Sequence, residues 1–393
     1  MERTASSAAK SQRPDFNYQM SILSVIGIVF VMLGHIYNNL PSIGTFYGWF
    51  PYYSFHMPLF VFISGYFFKD PSGSGFARSF GMFIWKKVRS LLIPFYVING
   101  CFLVLQTIMQ KSPGTWGAVF SLREWLLQPW ITVGPYTFAH PSWFMIALFL
   151  SEIFFVLLRK LAGLIFRNNF LKELILTVFT GLLTMFIIFC SNQFQIPDIA
   201  VVYLRSLLLM FFLQAGHFYR LYLEKRCDAV PSLLWFCIIF VIQLTVLFFT
   251  RSNELYFSYV QMVFFGISCF IPIITALTGI ALWLRVSKIL SQIPKRSRFI
   301  LFIGDNTKYI MAFHLFGYFI MNCIFYLLLK LPGTQAFIPG FDTESFISQI
   351  YYICDFNLRN LLLYFIAGLA FSLGMAKLIE FCRKGISRRL HNS

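Results

Sequence analysis

Apolar runs long enough to cross a membrane, roughly 18 or more residues each, recur along the whole sequence. Pro, Gly, Asn and charged residues separate these runs into ten candidate spans. We place the spans at 18–38, 49–68, 88–110, 142–161, 173–191, 201–219, 230–250, 257–284, 305–330 and 357–380. The sequence therefore predicts an all-α polytopic membrane protein with about ten transmembrane helices.

The composition agrees with this class. Charged residues make up 12% of the 393 residues and hydrophobic residues 58%, whereas soluble domains have about 25% charged residues. So few charges cannot cover a soluble globule of this length. The net charge of +17 would suggest a nucleic-acid partner in a soluble chain. In a membrane protein the basic residues first reflect topology, so we expect no nucleic-acid partner.

The distribution of Lys and Arg predicts an orientation. Of the 32 such residues, 24 fall on one set of alternate loops and five on the opposite set. Because cytoplasmic loops are enriched in Lys and Arg, and ten spans return the chain to its starting side, we predict that both termini are cytoplasmic. Residues 1–17 then form a polar N-terminal lead, 18–382 one membrane domain, and 383–393 a basic cytoplasmic tail. The first span is too long for a signal-peptide core and is interpreted as an uncleaved helix.

The sequence has no signature of a bound metal or cofactor. The eight cysteines show no paired spacing, so the sequence predicts neither a zinc site nor a disulfide framework. No Walker-type or Rossmann glycine fingerprint occurs, which argues against a nucleoside triphosphate or nicotinamide site. We therefore expect no permanently bound cofactor and no metal.

Ionisable side chains inside the spans are costly and mark candidate functional sites. His35 lies near the outer end of span one, and His56 lies at a similar depth on span two. Because a short connection joins these spans, they are expected to be antiparallel neighbours with the two histidines facing each other. His140, just outside span four, can join them. The same rule selects Glu152, Arg205, His217 and His314, for which a structural hydrogen bond between helices or a side chain that reaches the interface is the alternative.

A family resemblance begins with the stretches VIGIVFVMLGH (25–35) and FHMPLFVFISGYFFK (55–69), and continues through KKVRSLLIPFY (86–96), PSWFMIALFLSEI (141–153) and IGDNTKYIMAFHLF (303–316). In order and spacing these resemble acyltransferase family 3 of integral membrane acyltransferases, over about residues 16–382. Within that family, the chain resembles the branch that contains fucose 4-O-acetylase-like and intercellular-adhesin acyltransferase-like proteins. The family's histidine and Ser-Gly pair correspond to His35 and Ser64-Gly65. Where the family commonly has Arg or Lys, eleven positions before the histidine, this chain has Ser24.

The resemblance implies an O-acyltransferase of the cell envelope. Such an enzyme moves an acyl group, usually acetyl, from cytoplasmic acyl-CoA to a hydroxyl of a surface carbohydrate. His35 would act as general base or acyl carrier, with His56 beside it. The CoA phosphates would bind the inner cations Lys86, Lys87 and Arg89. The absence of an N-x-S/T sequon fits a bacterial origin. Polar and aromatic residues along the spans are the candidate acceptor ligands, namely His140, Trp143, Glu152, Ser64 and His314.

Two other function classes fit parts of the same sequence. A transporter that exports a glycan or a lipid-linked sugar would also have ten spans, helices broken at Pro58, Pro94 and Pro272, and buried polar groups. The sequence shows no internal repeat of the kind that many transporters carry. A structural subunit would leave the pairing of His35 with His56 without a reason. Turnover of acyl-CoA distinguishes the acyltransferase from both.

Overall fold

The computed structural model describes residues 17–36, 49–71, 75–109, 120–133, 138–250, 255, 257–264, 268–333, 341, 343, 346 and 357–391. Ten long helices follow one another along these residues, which contain no strand other than one isolated bridge. Of the predicted N-terminal lead, all but Asn17 lies outside the described residues. The helices are α1 Tyr18–Ile36, α2 Tyr52–Tyr66, α3 Phe76–Met109, α4 His140–Ile165, α5 Asn169–Gln193, α6 Asp198–Ala229, α7 Ser232–Thr250, α8 Ile271–Ser291, α9 Thr307–Leu329 and α10 Leu358–His391.

These helices confirm the predicted all-α membrane architecture. Nine of the ten, in the described part of the chain, are long and apolar enough to cross a bilayer. Short helices occupy Leu122–Leu126, Gln128–Ile131 and Arg298–Asp305 between the long ones. A membrane-spanning helix satisfies every backbone polar group internally, which is why a lipid-embedded chain of this composition adopts helices.

The exception is α2, which has 15 residues. At 1.5 Å per residue it is about 22 Å long, shorter than a bilayer core of about 30 Å. It follows Pro51 and ends before Lys69-Asp70-Pro71, where a charge pair and a proline stop the helix. Nearly all of its side chains are buried, and it packs against α1, α6 and α8. This helix is the centre of the bundle and holds part of the candidate site.

Two glycines let α2 and α6 approach closely. A Cβ on Gly65 of α2 would lie 2.0 Å from the Leu213 carbonyl oxygen, and one on Gly216 of α6 would lie 2.0 Å from the Phe62 carbonyl oxygen. Backbone therefore touches backbone at this crossing, as at small-residue contacts in other membrane bundles. Neighbouring Ser64 donates to the Phe60 carbonyl of its own helix at 3.0 Å.

Four predicted boundaries differ clearly from the structure. The sixth helix continues to Ala229, beyond the predicted 219, through a π-helical turn at Tyr219–Leu223, and the last helix continues to His391, beyond the predicted 380. The third helix begins at residue 76, earlier than the predicted 88, because a π-helical turn at Val88–Leu92 continues it across the basic stretch. The predicted span 257–284 starts too early, since the helix begins at Ile271. Residues 257–264 instead form a tight loop with an antiparallel bridge between Ser258 and Val263. An apolar run before Pro272 is compatible with either conformation, and Pro is favoured at the start of a helix.

Several helix ends that the sequence assigns to one side of the membrane contact each other in the structure. The Asn17 side chain donates to the Tyr66 hydroxyl at 2.9 Å, and that hydroxyl donates to the Glu224 carboxylate at 2.7 Å. Arg285 donates to the Cys227 carbonyl at 2.5 Å. These bonds join the start of α1 to the ends of α2, α6 and α8. We call this the basic end, and the opposite end, with His35, His56 and His140, the histidine end.

Candidate functional site

Three histidines from different helices line one cavity at the histidine end. The cavity has a volume of about 290 Å³. His35 of α1, His56 of α2 and His140 at the start of α4 all contribute to its wall, together with Trp143. The structure therefore brings together four of the residues that the sequence predicts for the site. Imidazole is the side chain whose ordinary pKa, near 6.5, best suits proton transfer at neutral pH.

The proton position on His56 follows from its hydrogen bond. Its Nδ1 lies 2.6 Å from the Tyr52 carbonyl oxygen, one helical turn earlier. A carbonyl oxygen only accepts, so Nδ1 carries the proton and Nε2 of the neutral ring keeps a lone pair. The Tyr53 ring packs edge-on against His56, and its hydroxyl donates to the Gly34 carbonyl at 2.6 Å. That bond fixes α2 against the turn of α1 that carries His35.

His314 of α9 lies behind His35 and is not among the residues that line the cavity. The two ring centroids are 5.3 Å apart, and His314 is completely buried. Its Nδ1 donates to the Ile310 carbonyl at 2.7 Å, which again leaves a lone pair on Nε2. One turn further along α9, Tyr318 donates to the Met32 carbonyl of α1 at 2.9 Å. This face of α9 therefore supports the helix that carries His35, and His314 is placed to orient that residue.

A short 3₁₀ turn, His140–Ser142, presents His140 and Trp143 to the cavity. The Ser142 hydroxyl exchanges hydrogen bonds with the Asn99 amide of α3, at 3.1 and 3.2 Å. The Ser142 backbone amide donates to the Ala139 carbonyl at 2.8 Å. Both Asn99 and Ser142 are buried, so this pair holds the turn in a single position.

The loop Phe257–Phe264, which we call the cap loop, forms the remaining wall. Its residues from Phe257 to Gln261 line the cavity. Met262 has a φ of 55°, an unusual value for a residue other than Gly, and this allows the tight reversal. The buried Tyr259 hydroxyl donates to the Ser54 carbonyl of α2 at 3.0 Å. The cap loop is thus attached to the helix that carries His56.

Arg205 of α6 is a site residue whose role sequence reasoning missed. It is 1% exposed, so its side chain does not reach the interface as the sequence allowed. One terminal nitrogen, Nη1, donates to the carbonyls of Val133 (2.8 Å) and Val260 (3.1 Å). The guanidinium carbon lies 4.7 Å from the centre of the Trp143 ring, within the range of a cation–π contact. Arg205 thereby holds the cap loop and the Trp143 wall together.

Glu152 and Lys87 pair with each other and do not line the histidine cavity. Their Nζ–Oε1 distance is 2.5 Å, and the Glu152 side chain is 2% exposed. A predicted acceptor ligand and a predicted CoA-binding cation therefore form one ion pair between α3 and α4. Lys86 and Arg89 are exposed on α3, with the Arg89 guanidinium 5.1 Å from the centre of the Trp85 ring. Neither has a carboxylate within ion-pair distance in the described part of the chain.

A partly buried ion cluster surrounds Arg159 at the basic end, in which Arg159 and Glu173 are buried and Asp70 is half-exposed. Its guanidinium donates two bonds to Asp70 (2.6 and 2.8 Å) and two to Glu173 (2.7 and 2.9 Å). Burial raises the pKa of the Asp70 carboxyl, but the hydrogen bonds and the charge of Arg159 outweigh this, and the pKa lies below its ordinary 3.8. The cluster joins α4, α5 and the loop after α2. Lys172, with its Nζ 3.6 Å from Glu173, supplies the second positive charge that balances the two carboxylates.

The comparisons with known proteins identify one family. A family model described as an acyltransferase domain matches residues 17–379, nearly the whole chain. The match covers every helix that contributes to the histidine cavity. No curated protein and no solved structure matches the chain significantly.

Proposed function

The chain belongs to acyltransferase family 3 and is a membrane acyltransferase, and on that premise we propose that it acylates a carbohydrate hydroxyl of the cell envelope. The donor is acyl-CoA, with acetyl the most common acyl group. The observation that carries the proposal is the shared cavity of His35, His56 and His140, with an aromatic wall at Trp143. A sugar hydroxyl needs a base as it attacks a thioester carbonyl, and neutral imidazole provides one.

In the proposed reaction His35 removes the proton from the acceptor hydroxyl. The oxygen electron pair forms the new ester bond to the acyl carbon as the thioester C–S bond breaks. The CoA sulfur leaves as thiolate and receives the proton. In a second route, the His35 ring nitrogen attacks the thioester first and then passes the acyl group to the acceptor oxygen. Both routes convert acyl-CoA and an alcohol into an ester and CoA.

The other residues have supporting roles in this proposal. His56 holds its lone pair at Nε2, because Nδ1 is committed to the Tyr52 carbonyl, and can accept a hydrogen bond from the acceptor sugar. His140 and Trp143 form another part of the wall, where the aromatic ring of Trp143 would pack against the C–H face of a sugar ring. His314 contacts His35 from the side away from the cavity and orients its ring.

The donor approaches from the basic end, which we assign to the cytoplasm because its loops carry most of the Lys and Arg residues. The protein then lies in the cytoplasmic membrane with both termini inside. Lys86 and Arg89 are two of the exposed cations there that can bind phosphate. Along α4, 19 residues separate His140 from Arg159, about 28 Å at the helical rise. The thioester must therefore cross much of the bundle to meet an acceptor at the histidine end.

The test is the reaction itself with purified protein in detergent. Labelled acetyl-CoA is supplied with envelope polysaccharide, and both released CoA and labelled glycan are measured. We expect label on the glycan in equal amount to the CoA released. If acetyl-CoA stays intact while protein reconstituted in vesicles moves glycan across the membrane, the proposal is wrong and the chain acts as a transporter.

A further inference from the structure

A second cavity borders the histidine cavity on the other side of the cap loop. It has a volume of about 400 Å³, and its wall is formed by the turn between α5 and α6 and by the far part of the cap loop. Gln261 lines both cavities. We propose that the second cavity is a distal acceptor subsite, which binds a neighbouring sugar unit while the histidine cavity holds the unit that is acylated. This inference rests on the proposed function.

The walls of the second cavity indicate a neutral, hydroxyl-rich ligand. None of the described residues that line it is charged, so an acidic or phosphorylated group would find no counter-ion there. Its polar groups are amides and a hydroxyl, which both donate and accept hydrogen bonds. Phe194 and Ile196 supply an apolar surface beside them. The lining residues are Ser191, Phe194, Gln195, Ile196, Gln261, Met262 and Val263.

The polar groups of this cavity are available for a ligand. Gln195 and Gln261 are exposed, and neither side-chain amide has a hydrogen bond to the described part of the protein. The Ser191 hydroxyl donates to the Ile187 carbonyl at 2.8 Å, which leaves its oxygen free to accept. The two amides therefore offer donors and acceptors to sugar hydroxyls.

The geometry of the cap loop makes the two cavities neighbours. The bridge between Ser258 and Val263 closes the loop so tightly that Gln261, near its tip, borders both cavities. Tyr259 and Arg205 anchor the loop to the bundle through the Ser54 and Val260 carbonyls. A ligand that passes Gln261 thus contacts a fixed edge. An acceptor of at least two linked neutral sugars can occupy both cavities at once.

The experiment uses size-fractionated fragments of the cell's own surface polysaccharide, from one to about six sugar units, as acceptors with labelled acetyl-CoA. We expect the KM for fragments of two or more units to be lower than for single sugars. The variants Gln195→Ala and Gln261→Ala should each raise the KM for longer fragments about three- to tenfold, as expected for one lost hydrogen bond. Gln195→Ala should leave the KM for single sugars unchanged, because Gln195 lines only the second cavity, whereas Gln261 lines both cavities and its variant carries no such expectation. Gln193, exposed at the end of α5 beside this turn but outside the cavity wall, provides the matched control Gln193→Ala.

Two results would overturn the inference while acyl transfer stands. One is a KM that does not depend on fragment length. The other is a length dependence that Gln195→Ala and Gln261→Ala leave intact. Failure of the proposed function gives a different pattern, with no label on any fragment and acetyl-CoA unconsumed, and would overturn the subsite together with it.

Discussion

Three arginines are buried in the described part of the chain, Arg159, Arg205 and Arg285. Arg159 and Arg205 lie toward opposite ends of the bundle, and their surroundings differ. Arg159 at the basic end binds two carboxylates, Asp70 and Glu173. Arg205 at the histidine end binds two backbone carbonyls and the Trp143 ring. The first arrangement neutralises the charge and ties helices together. The second uses the cation to shape the wall of a cavity, at the cost of leaving its charge without a carboxylate within ion-pair distance among the described residues.

Two histidines, one at each end of the bundle, also differ in their surroundings. His217 at the basic end is packed between the rings of Phe68 and Phe155, with centroid distances of 5.6 and 6.3 Å. His35 lines the histidine cavity. A histidine therefore packs between aromatic rings at the basic end, and another lines a cavity at the histidine end. Ionisable groups in a membrane protein's core are candidates for function by default. We expect a catalytic role for His35, which lines the histidine cavity, and a packing role for His217, which lies between two rings.

The largest expected effect is a difference in acetyl-CoA turnover between the His35 and His217 variants. His35→Ala should lower the turnover of labelled acetyl-CoA about 10³-fold, because a general base contributes 10²–10⁴-fold. His217→Ala should leave turnover per folded molecule unchanged and lower the midpoint of thermal unfolding. Both quantities are measured on the same detergent-purified samples. Normal turnover in His35→Ala would show that the active end has been misassigned.

Removal of Arg159 tests the opposite end. Arg159→Met removes the cation from the buried Glu173 carboxylate, leaving Lys172 at 3.6 Å, and from the half-exposed Asp70. The loss of one partner from a buried pair costs about 3–5 kcal/mol of unfolding free energy. Chemical or thermal unfolding in detergent measures this loss, while turnover per folded molecule should remain. The exposed neighbour Lys160, which contacts only the Phe76 ring among the contacts described, gives the control Lys160→Met with little effect. A stable Arg159→Met protein would remove the distinction between the two arginines.

A smaller and more specific effect is expected at Arg205. Arg205→Lys keeps the charge, but an ammonium group lacks the planar fork that bonds two carbonyls and stacks on Trp143 at the same time. The KM for the glycan acceptor should rise about tenfold, in line with the loss of a hydrogen bond from a charged group. The KM for acetyl-CoA should stay the same. Equal loss with both substrates would indicate general damage to the fold instead of a misplaced cap loop.

The smallest effect concerns pH. The folded-state pKa of Asp70 lies below its ordinary 3.8, so the Asp70–Arg159 pair stabilises the protein above that value and loses this contribution as the pH falls through the folded pKa. The Asp70 side chain is 50% exposed, which limits the contribution to about 1 kcal/mol or less. Unfolding measured between pH 6 and about pH 3 should show a shallower acid decline for Asp70→Asn than for the wild type. Identical acid declines would mean that Asp70 adds nothing to the cluster.

The fold was largely predictable because its signal is local. The length and apolarity of each run identify a span without knowledge of its neighbours, and nine described helices meet that criterion. The boundary of α8 was not predictable. The apolar residues 257–264 form the cap loop because Tyr259 and Arg205 anchor them, and those contacts join residues far apart in sequence.

The site was predictable only in part. His35 and His56 were expected together because a short connection joins their helices, and both line the same cavity with His140 and Trp143. For Arg205 the sequence offered the right signal, a charge within a span, but not its partners. Ser64, Glu152 and His314 are not among the cavity-lining residues. Each has a partner or a neighbour that the sequence does not identify: a backbone carbonyl for Ser64, Lys87 for Glu152 and the His35 ring for His314.

The amino-acid sequence alone dictates that this chain is a bundle of membrane helices, because apolar segments without water must satisfy their backbone polar groups as helices. Its distribution of basic residues also divides the loops into two sides. Tertiary structure decides which buried polar groups are paired and which face a cavity. Lys87 and Glu152 are 65 residues apart, and Arg205 and Val133 are 72 apart. Such pairings depend on how helices pack in three dimensions, and no local pattern in the sequence specifies them.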